Sequence, residues 1–590
     1  MPDNATLSGI SQSDSAFSVQ CLVRRSLGEG GWLFDVLCQE FNPSFRAAAN
    51  FLLHPALQSY RSRENISIVA QTPIPDCALK MKIAFYILAL GLVTAAIPVV
   101  SIANADGPPA VSRAFISADP VVVKARAIFD AGSFSDAEKM LRESITSDNT
   151  EANRDRAELL EIIRRTRFEY SLTPEKLLKK VQKSVPDATA EDLERWAKIA
   201  DIRFRMIDGQ KFYFRYEPEN IFIFCPEAKQ RRAQAGRVPD RGDWKQVDYL
   251  KSVVDEAHRT GQTELMPVKH TVTHTLTIDP AAPGVKAGAL VRVWLPFPQE
   301  YGRQRGVKLL SASPEPKLIA PNAVDGNPVT GAPQRTIYFE QKITDPAQPL
   351  KFTEVFEYTF SAYYPHLDPK QVQLLPADWN GAYLDERLPH IVFTGDIRAE
   401  VAKIIGHETN ALINARNIFR WVSKNIPWNA EDEYCIIPSF TKKGWTTRRG
   451  DCGVQNTVFV TMCRIAGIPA RWQSGYETKP TKEWSMHDWS EIYIVPWGWL
   501  PTDASYGIQK SRDPEVAEFF CGHQDSYRMI INLDWGRELV PPKNSFRSEP
   551  ADFQRGEVEV AGQNLYYDEW KTETTIVRDP GPNPPRNPKE

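Results

Sequence analysis

Five residues, Arg449-Gly450-Asp451-Cys452-Gly453, constrain this chain more than any other stretch. The cysteine follows a glycine-containing turn and precedes a segment with Val458, Met462 and Ile465 at helical spacing, Gly467 as the stop and Pro469 beyond it. A helix therefore starts at the thiol. The unpaired first-turn N–H groups and the positive end of the macrodipole favour thiolate over thiol, which can lower a cysteine pKa from ~8.5 into the ~3.5–7.5 range. A cysteine so placed is either a nucleophile or one more small buried apolar side chain.

The residues downstream favour the nucleophile. Met486-His487-Asp488-Trp489-Ser490-Glu491-Ile492-Tyr493 alternates as a strand does, and Trp499-Leu500-Pro501-Thr502-Asp503-Ala504 is a second short run after the turn at Pro496 to Gly498. Thiol, imidazole and carboxylate thus arrive in the order Cys452, His487, Asp503. With His487 and Asp503 on neighbouring strands facing the helix N-terminus, the imidazole would take the thiol proton and later give it to a leaving amine. The carboxylate would fix the imidazole tautomer.

The run GDCGVQNTVFVTMCRIAGIPARWQSGYE, followed by HDWSEIYI and GWLPTDAS, resembles the core of the transglutaminase-like superfamily over about residues 395 to 510, with a looser likeness to bacterial exported members toward the C-terminus. The resemblance implies a papain-like thiol fold with Cys452 as nucleophile, His487 as general base and acid, and Asp503 as its orienter. One departure is Asp488, where many members carry a small residue. On an alternating strand Asp488 should point to the face opposite His487, so Asp503 is kept as the partner.

A length of 590 residues exceeds one core, and 42% hydrophobic with 25% charged residues fits an ordinary soluble protein of several domains. A net charge of −3 and a pI near 6.4, with no long basic run, argue against nucleic acid as a partner. Trp445 and Trp489, among the tryptophans crowding this region, are candidates for a substrate groove.

Residues 1–80 show no sustained periodicity and read as a mis-called, disordered upstream extension. Met81-Lys82, the apolar run Ile83 to Ile102 and Ala103-Asn104-Ala105 then read as a secretory signal peptide at 81–105, with a mature chain starting near Asp106. A single membrane anchor is the alternative, because the run approaches the ~20 residues that span a bilayer. Export, to the periplasm or the medium, leaves Cys225, Cys435, Cys452, Cys463 and Cys521, an odd number that suits one free catalytic thiol. No C-x-x-C and no calcium loop of the EF-hand kind occurs, so no metal and no cofactor is expected.

Residues 106–250 read as an α-helical accessory region, with a helical hairpin of the tetratricopeptide kind between Pro120 and Thr166 and a polar connector or exposed helix from Glu227 to Asp248. Residues 265–370 alternate and read as a β-sandwich. In it His270 and His274 stand i, i+4 apart, and lacking an acidic third ligand nearby they read as ordinary strand residues. Residues 390–510 are the core, with 429–447 as an irregular flap, 511–570 a C-terminal β extension and 571–590 a disordered tail. The expected fold class is α+β: a helix packed on an antiparallel sheet, preceded by the sandwich and the helical domain. The expected activity is acyl transfer from protein or peptide amides through a thioester, hydrolytic rather than cross-linking. A catalytically silent binding module or envelope adaptor of the same fold is the other reading.

Overall fold

The computed structural model describes residues 4–5, 21–28, 31–38 and 113–580, apart from 149, 241, 324–331 and 482–483. The expected signal peptide at 81–105 and the tail at 581–590 lie outside the described residues, as does most of 1–80. Within that N-terminal stretch, Cys21–Gly28 pairs antiparallel with Gly31–Cys38 and with Asn4–Ala5, so these short runs are strands rather than disordered chain.

From residue 113 onward, Pro120–Asp130 and Phe134–Ser144 form the expected helical hairpin and Glu151–Glu169 packs against it, with Val122, Phe129, Phe134, Leu141, Leu159 and Ile163 in one core. Asp119 caps the first helix and Thr189 with Asp192 makes a reciprocal capping box on Ala190–Ala200. Two details depart from the all-helical reading. A β-hairpin, Phe204–Ile207 with Gln210–Tyr213, turns at Asp208-Gly209, both at positive φ, which is the Asp-Gly signal of a primed turn. The helix Gln246–Thr260, cut by the expected boundary at 250, puts Leu250, Val253, Val254 and Ala257 into the same core as Ile397, Leu412 and Val458. It belongs to the thiol-bearing core.

The β region makes two antiparallel sheets. One has the order Trp570–Asp579, Glu264–Ile278, Leu350–Tyr363, Gln304–Ser313; the other runs Gln563–Asn564, Glu557–Val560, Leu290–Pro296, Thr336–Lys342, Leu318–Ile319. Val272, Leu276, Val293, Phe339, Phe352 and Phe356 from both share one apolar cluster with Val558 and Val560. The C-terminal strands are therefore members of these sheets rather than a separate extension. Residues 571–579, expected to be disordered, pair along Glu264–Ile278 with alternating half-buried and exposed side chains. The proline-rich composition that prompted that expectation starts only at Pro580. His270 and His274 are buried, bonded respectively to Thr478 Oγ1 at 2.8 Å and to the Arg555 carbonyl at 2.9 Å, and burial lowers them to about 3 and about 4.

A third, four-stranded antiparallel sheet has the order Gly498–Thr502, Ser485–Ile494, Ala470–Glu477, Arg528–Asn532. The helix Cys452–Ile465 lies on it, and Tyr476, Trp489, Met529 and Ile530 join the apolar cluster of the other sheets. The strand Ala470–Glu477 approaches Arg528–Asn532 so closely at Gly475 that a Cβ there would stand 1.8 Å from the Met529 carbonyl oxygen. Among the described residues no helix is long and apolar enough to cross a membrane.

Candidate active site

The turn before the thiol is built by close approach. Arg448, at φ 53°, ends the helix Phe440–Thr447, and Gly450 then runs parallel to Trp428, donating to the Pro427 carbonyl at 3.3 Å. A Cβ on Gly450 would meet Val454 at 2.4 Å, and one on Gly453 would stand 2.1 Å from Tyr434 Oη. Asp451 caps the helix by accepting the Val454 N–H at 3.2 Å. The glycines of this motif thus make room for the helix start and for a tyrosine hydroxyl laid against it.

Cys452 is half-buried at the first position of the helix. Its Sγ donates to Asp488 Oδ2 at 3.4 Å, and among the described residues no hydrogen bond joins it to His487. The imidazole Nε2 is instead 2.7 Å from Asp503 Oδ2, and Arg528 donates to the same oxygen at 2.8 Å. His487 and Asp503 are therefore brought together, while the thiol takes Asp488. Asp488 does diverge from its neighbour, and the direction it takes leads to the sulfur.

A fully buried asparagine joins the three segments. Asn456 Nδ2 donates to the carbonyls of Cys452 and Asp488, each at 3.0 Å, and its Oδ1 accepts the Ala504 N–H at 3.1 Å. Tyr434 Oη accepts the Gly453 N–H at 3.0 Å and lies 2.8 Å from Asp488 Oδ2 and 2.9 Å from Asp451 Oδ2. One hydroxyl proton serves only one of two carboxylates, so the cluster is satisfied when one aspartic acid is protonated and donates to Tyr434. Burial, with Glu431 next, pushes Asp451 up to about 8, and burial, with Asp451 next, pushes Asp488 up to about 8 as well, so the proton belongs to the pair. Gln554, from the C-terminal segment, donates to Asp488 Oδ1 and to the carbonyls of His487 and Gly475, each at 3.0 Å.

Electrostatics run against the expectation drawn from the helix end alone. Burial, then the carboxyls of Asp488 and Asp451, push the Cys452 thiol well above its ordinary range. Against the burial that would raise it, His487 and Arg528 hold Asp503 well below the usual carboxylate range. The resting state is a neutral thiol beside a histidine–aspartate pair.

Of the two groove candidates, Trp489 does not reach a surface. Trp489 is fully buried and its Nε1 donates to Gln473 at 2.7 Å, so it serves the core between sheets. Trp445 stacks on Trp421 at 5.4 Å and donates to Asp396 at 2.5 Å. The exposed indole beside the thiol turn is Trp428, 45% exposed and bridged to Gly450. Nor is 429–447 a free flap. Asp432 is paired with Arg203 at 3.3 Å and Lys443 at 2.5 Å, Ala430 with Asn220, and Glu433 with Arg215 at 3.0 Å and Arg555 at 2.9 Å. Tyr434, Gln554 and Arg528, which complete the site, sit far from Cys452 in sequence and carry no local motif.

Comparison with known proteins adds the following. Residues 398–504 match the family model of the transglutaminase-like superfamily. An uncharacterized protein of Haemophilus influenzae is 29% identical over 196 residues, 27% of this chain and 53% of that protein. An uncharacterized Bacillus subtilis protein, YebA, is 30% identical over 107 residues, 16% of this chain and 14% of that one. The chain thus spans about half of the first relative's length and less of the second's. Two solved structures are similar at low identity. A candidate cysteine protease from Cytophaga hutchinsonii has 12% identity and a TM-score of 0.35, over 53% of this chain and 90% of that one. The periplasmic domain of TgpA from Pseudomonas aeruginosa, bound to ethylmercury, has 14% identity and a TM-score of 0.20, over 43% and 94%. Residues 398–504, which hold the Cys452 helix, the His487 strand and Asp503, are a transglutaminase-like core.

Proposed function

We propose that this protein is an exported, cysteine-dependent enzyme that cleaves amide bonds of proteins or peptides by acyl transfer to Cys452. The observation that carries the reading is the pairing of His487 Nε2 with Asp503 at 2.7 Å on the sheet under a helix that begins with a cysteine. The pairing places the ring proton on Nε2 and leaves Nδ1 as the basic nitrogen. On substrate binding Nδ1 takes the Sγ proton, sulfur bonds to the carbonyl carbon, and the C–N bond breaks as the proton passes to the departing amine. Water then adds to the thioester and the C–S bond breaks, returning the proton to sulfur. The Cys452 N–H is the proposed donor to the oxyanion. Hydrolysis is favoured over cross-linking because an exported enzyme meets a large excess of water, and no nucleic acid or cofactor takes part. Export itself rests on the sequence at 81–105, and a mature N-terminus near Asp106 is its test.

The experiment is hydrolysis of a diverse peptide library by the wild type, Cys452→Ala and His487→Ala, with hydroxylamine to trap the thioester. Activity lost in both variants, with a peptidyl hydroxamate released by the wild type alone, is expected. Equal turnover in Cys452→Ala refutes the assignment. One observation favours a second reading, a silent binding or envelope adaptor protein: at rest the sulfur is bonded to Asp488 rather than to His487. That reading gains if no substrate yields a hydroxamate.

A further inference from the structure

We propose that Asp488 holds Cys452 in its thiol form, so that this carboxylate, and not the helix end, sets the pH at which the thiolate appears. The proposal rests on Cys452 as the nucleophile and describes how that site is restrained. Asp488 Oδ2 is the oxygen to which the sulfur donates, at 3.4 Å. A thiolate there would face a like charge at contact distance. The carboxylate is fixed from both sides, by Tyr434 Oη at 2.8 Å on Oδ2 and by Gln554 Nε2 at 3.0 Å on Oδ1, so it turns away from sulfur only by giving up those bonds.

The proton inventory points the same way. Tyr434 Oη stands between Asp451 Oδ2 and Asp488 Oδ2, so one proton shared by the two carboxyls satisfies all three groups, while the thiol proton goes to Asp488 Oδ2. Burial pushes Asp488 as well as Asp451 up to about 8; whichever of them holds the proton, Oδ2 keeps a lone pair for the thiol, and the charge that opposes a thiolate is complete once Asp488 ionises. The titratable groups that face Asp488 are Asp451 and Cys452 from the helix start, Tyr434 from the Tyr434–Ile436 turn, and Asp552 and Glu549 from the C-terminal segment, with Arg555 and Glu433 behind them. The acidic members act on sulfur in the same direction as Asp488. Yet Asp488 alone bonds to it, which makes it the residue to change.

The test is the pH dependence of Cys452 alkylation by iodoacetamide, read by mass spectrometry on the full chain. An adjacent like charge shifts a titration by about 1–3 units, so Asp488→Asn should label at least about ten-fold faster at neutral pH, with its midpoint at least about one unit lower. Labelling of the buried Cys463 should not change. Equal labelling overturns the proposal, and slower labelling overturns it in favour of Asp488 as the base. Should Asp488→Asn not fold, the wild type decides: its Cys452 midpoint must lie above that of the same chain unfolded in urea, and a midpoint at or below refutes the inference. No substrate is used, so a protein that cleaves no peptide can still pass this test, and failure of the proposed activity is told apart from failure of this restraint.

Discussion

Replacing Asn456 with alanine should damage the site by uncoupling its three segments. Asn456 is fully buried, and its side chain bonds to the Cys452 helix, to the His487–Asp488 strand and to the amide that follows Asp503. Not every bond counts equally. Ser490, 3.3 Å from Oδ1, keeps a better bond to the Thr502 carbonyl at 2.8 Å, so its hydroxyl is not stranded. The Ala504 N–H is stranded, and a buried unsatisfied donor costs about 1–3 kcal/mol. The space vacated by the side chain adds roughly 1 kcal/mol. The sum is about 2–4 kcal/mol, a large share of the ~5–15 kcal/mol that holds a typical domain. Urea unfolding should show this loss as a lower midpoint at an unchanged slope. Peptide hydrolysis at a temperature where the variant is fully folded should also fall, because the segment carrying Asp503 loses its tie to the helix. Asn456→Asp, which keeps the acceptor for Ala504 but loses the donor and adds a charge facing two carbonyl oxygens, should be no better than alanine. A cost below about 0.5 kcal/mol with full activity would refute the reasoning.

Two further outcomes follow from buried features. Glu354 is fully buried, both carboxylate oxygens lack a hydrogen-bond partner among the described residues, and burial raises it well above its ordinary 4.5. A carboxyl raised in the folded state stabilises below its unfolded pKa and loses that contribution as pH rises; Glu354→Gln should therefore gain on the wild type from about pH 4.5 upward, by up to ~1.4 kcal/mol per pH unit in urea melts, and a pH-independent difference would contradict this. Gly475→Ala must push a Cβ against backbone 1.8 Å away, so it should yield little soluble folded protein; a variant melting within a few degrees of the wild type would show that the two strands can part.

How much of this was legible in the sequence depends on the range of the cause. The helix start at Cys452 was legible because cap, glycines and apolar spacing all lie within a few residues. The strand at His487 and its neighbour before Asp503 were legible from alternation and an intervening turn. Alternation also separates Asp488 from His487, but it does not say which of them meets the sulfur, since that depends on how the helix is set on the sheet. Tyr434 reaches the cluster across 17 residues and Gln554 across 66, with no pattern to announce either. The tryptophans misled for a related reason: composition marks an aromatic neighbourhood, and packing alone decides that Trp489 is core and Trp428 is surface. The strand Trp570–Asp579 was hidden by the prolines that follow it, although Thr572, Thr574 and Ile576 fall on one face at the period of a half-covered strand.

That strand has a consequence for the order of assembly. It lies along Glu264–Ile278, about 300 residues earlier in the chain, and Gln554 just before it grips the His487 strand. A ribosome delivers the cysteine more than 100 residues before it delivers the partner that closes this edge, so the nascent chain carries an unfinished site through that last part of its synthesis. Pairings this distant form late and slowly, because loop closure must precede any gain from contact. The thiol thus acquires its final neighbours, Gln554 on Asp488 among them, only once nearly the whole described chain is available to fold, which makes late closure a timer on reactivity.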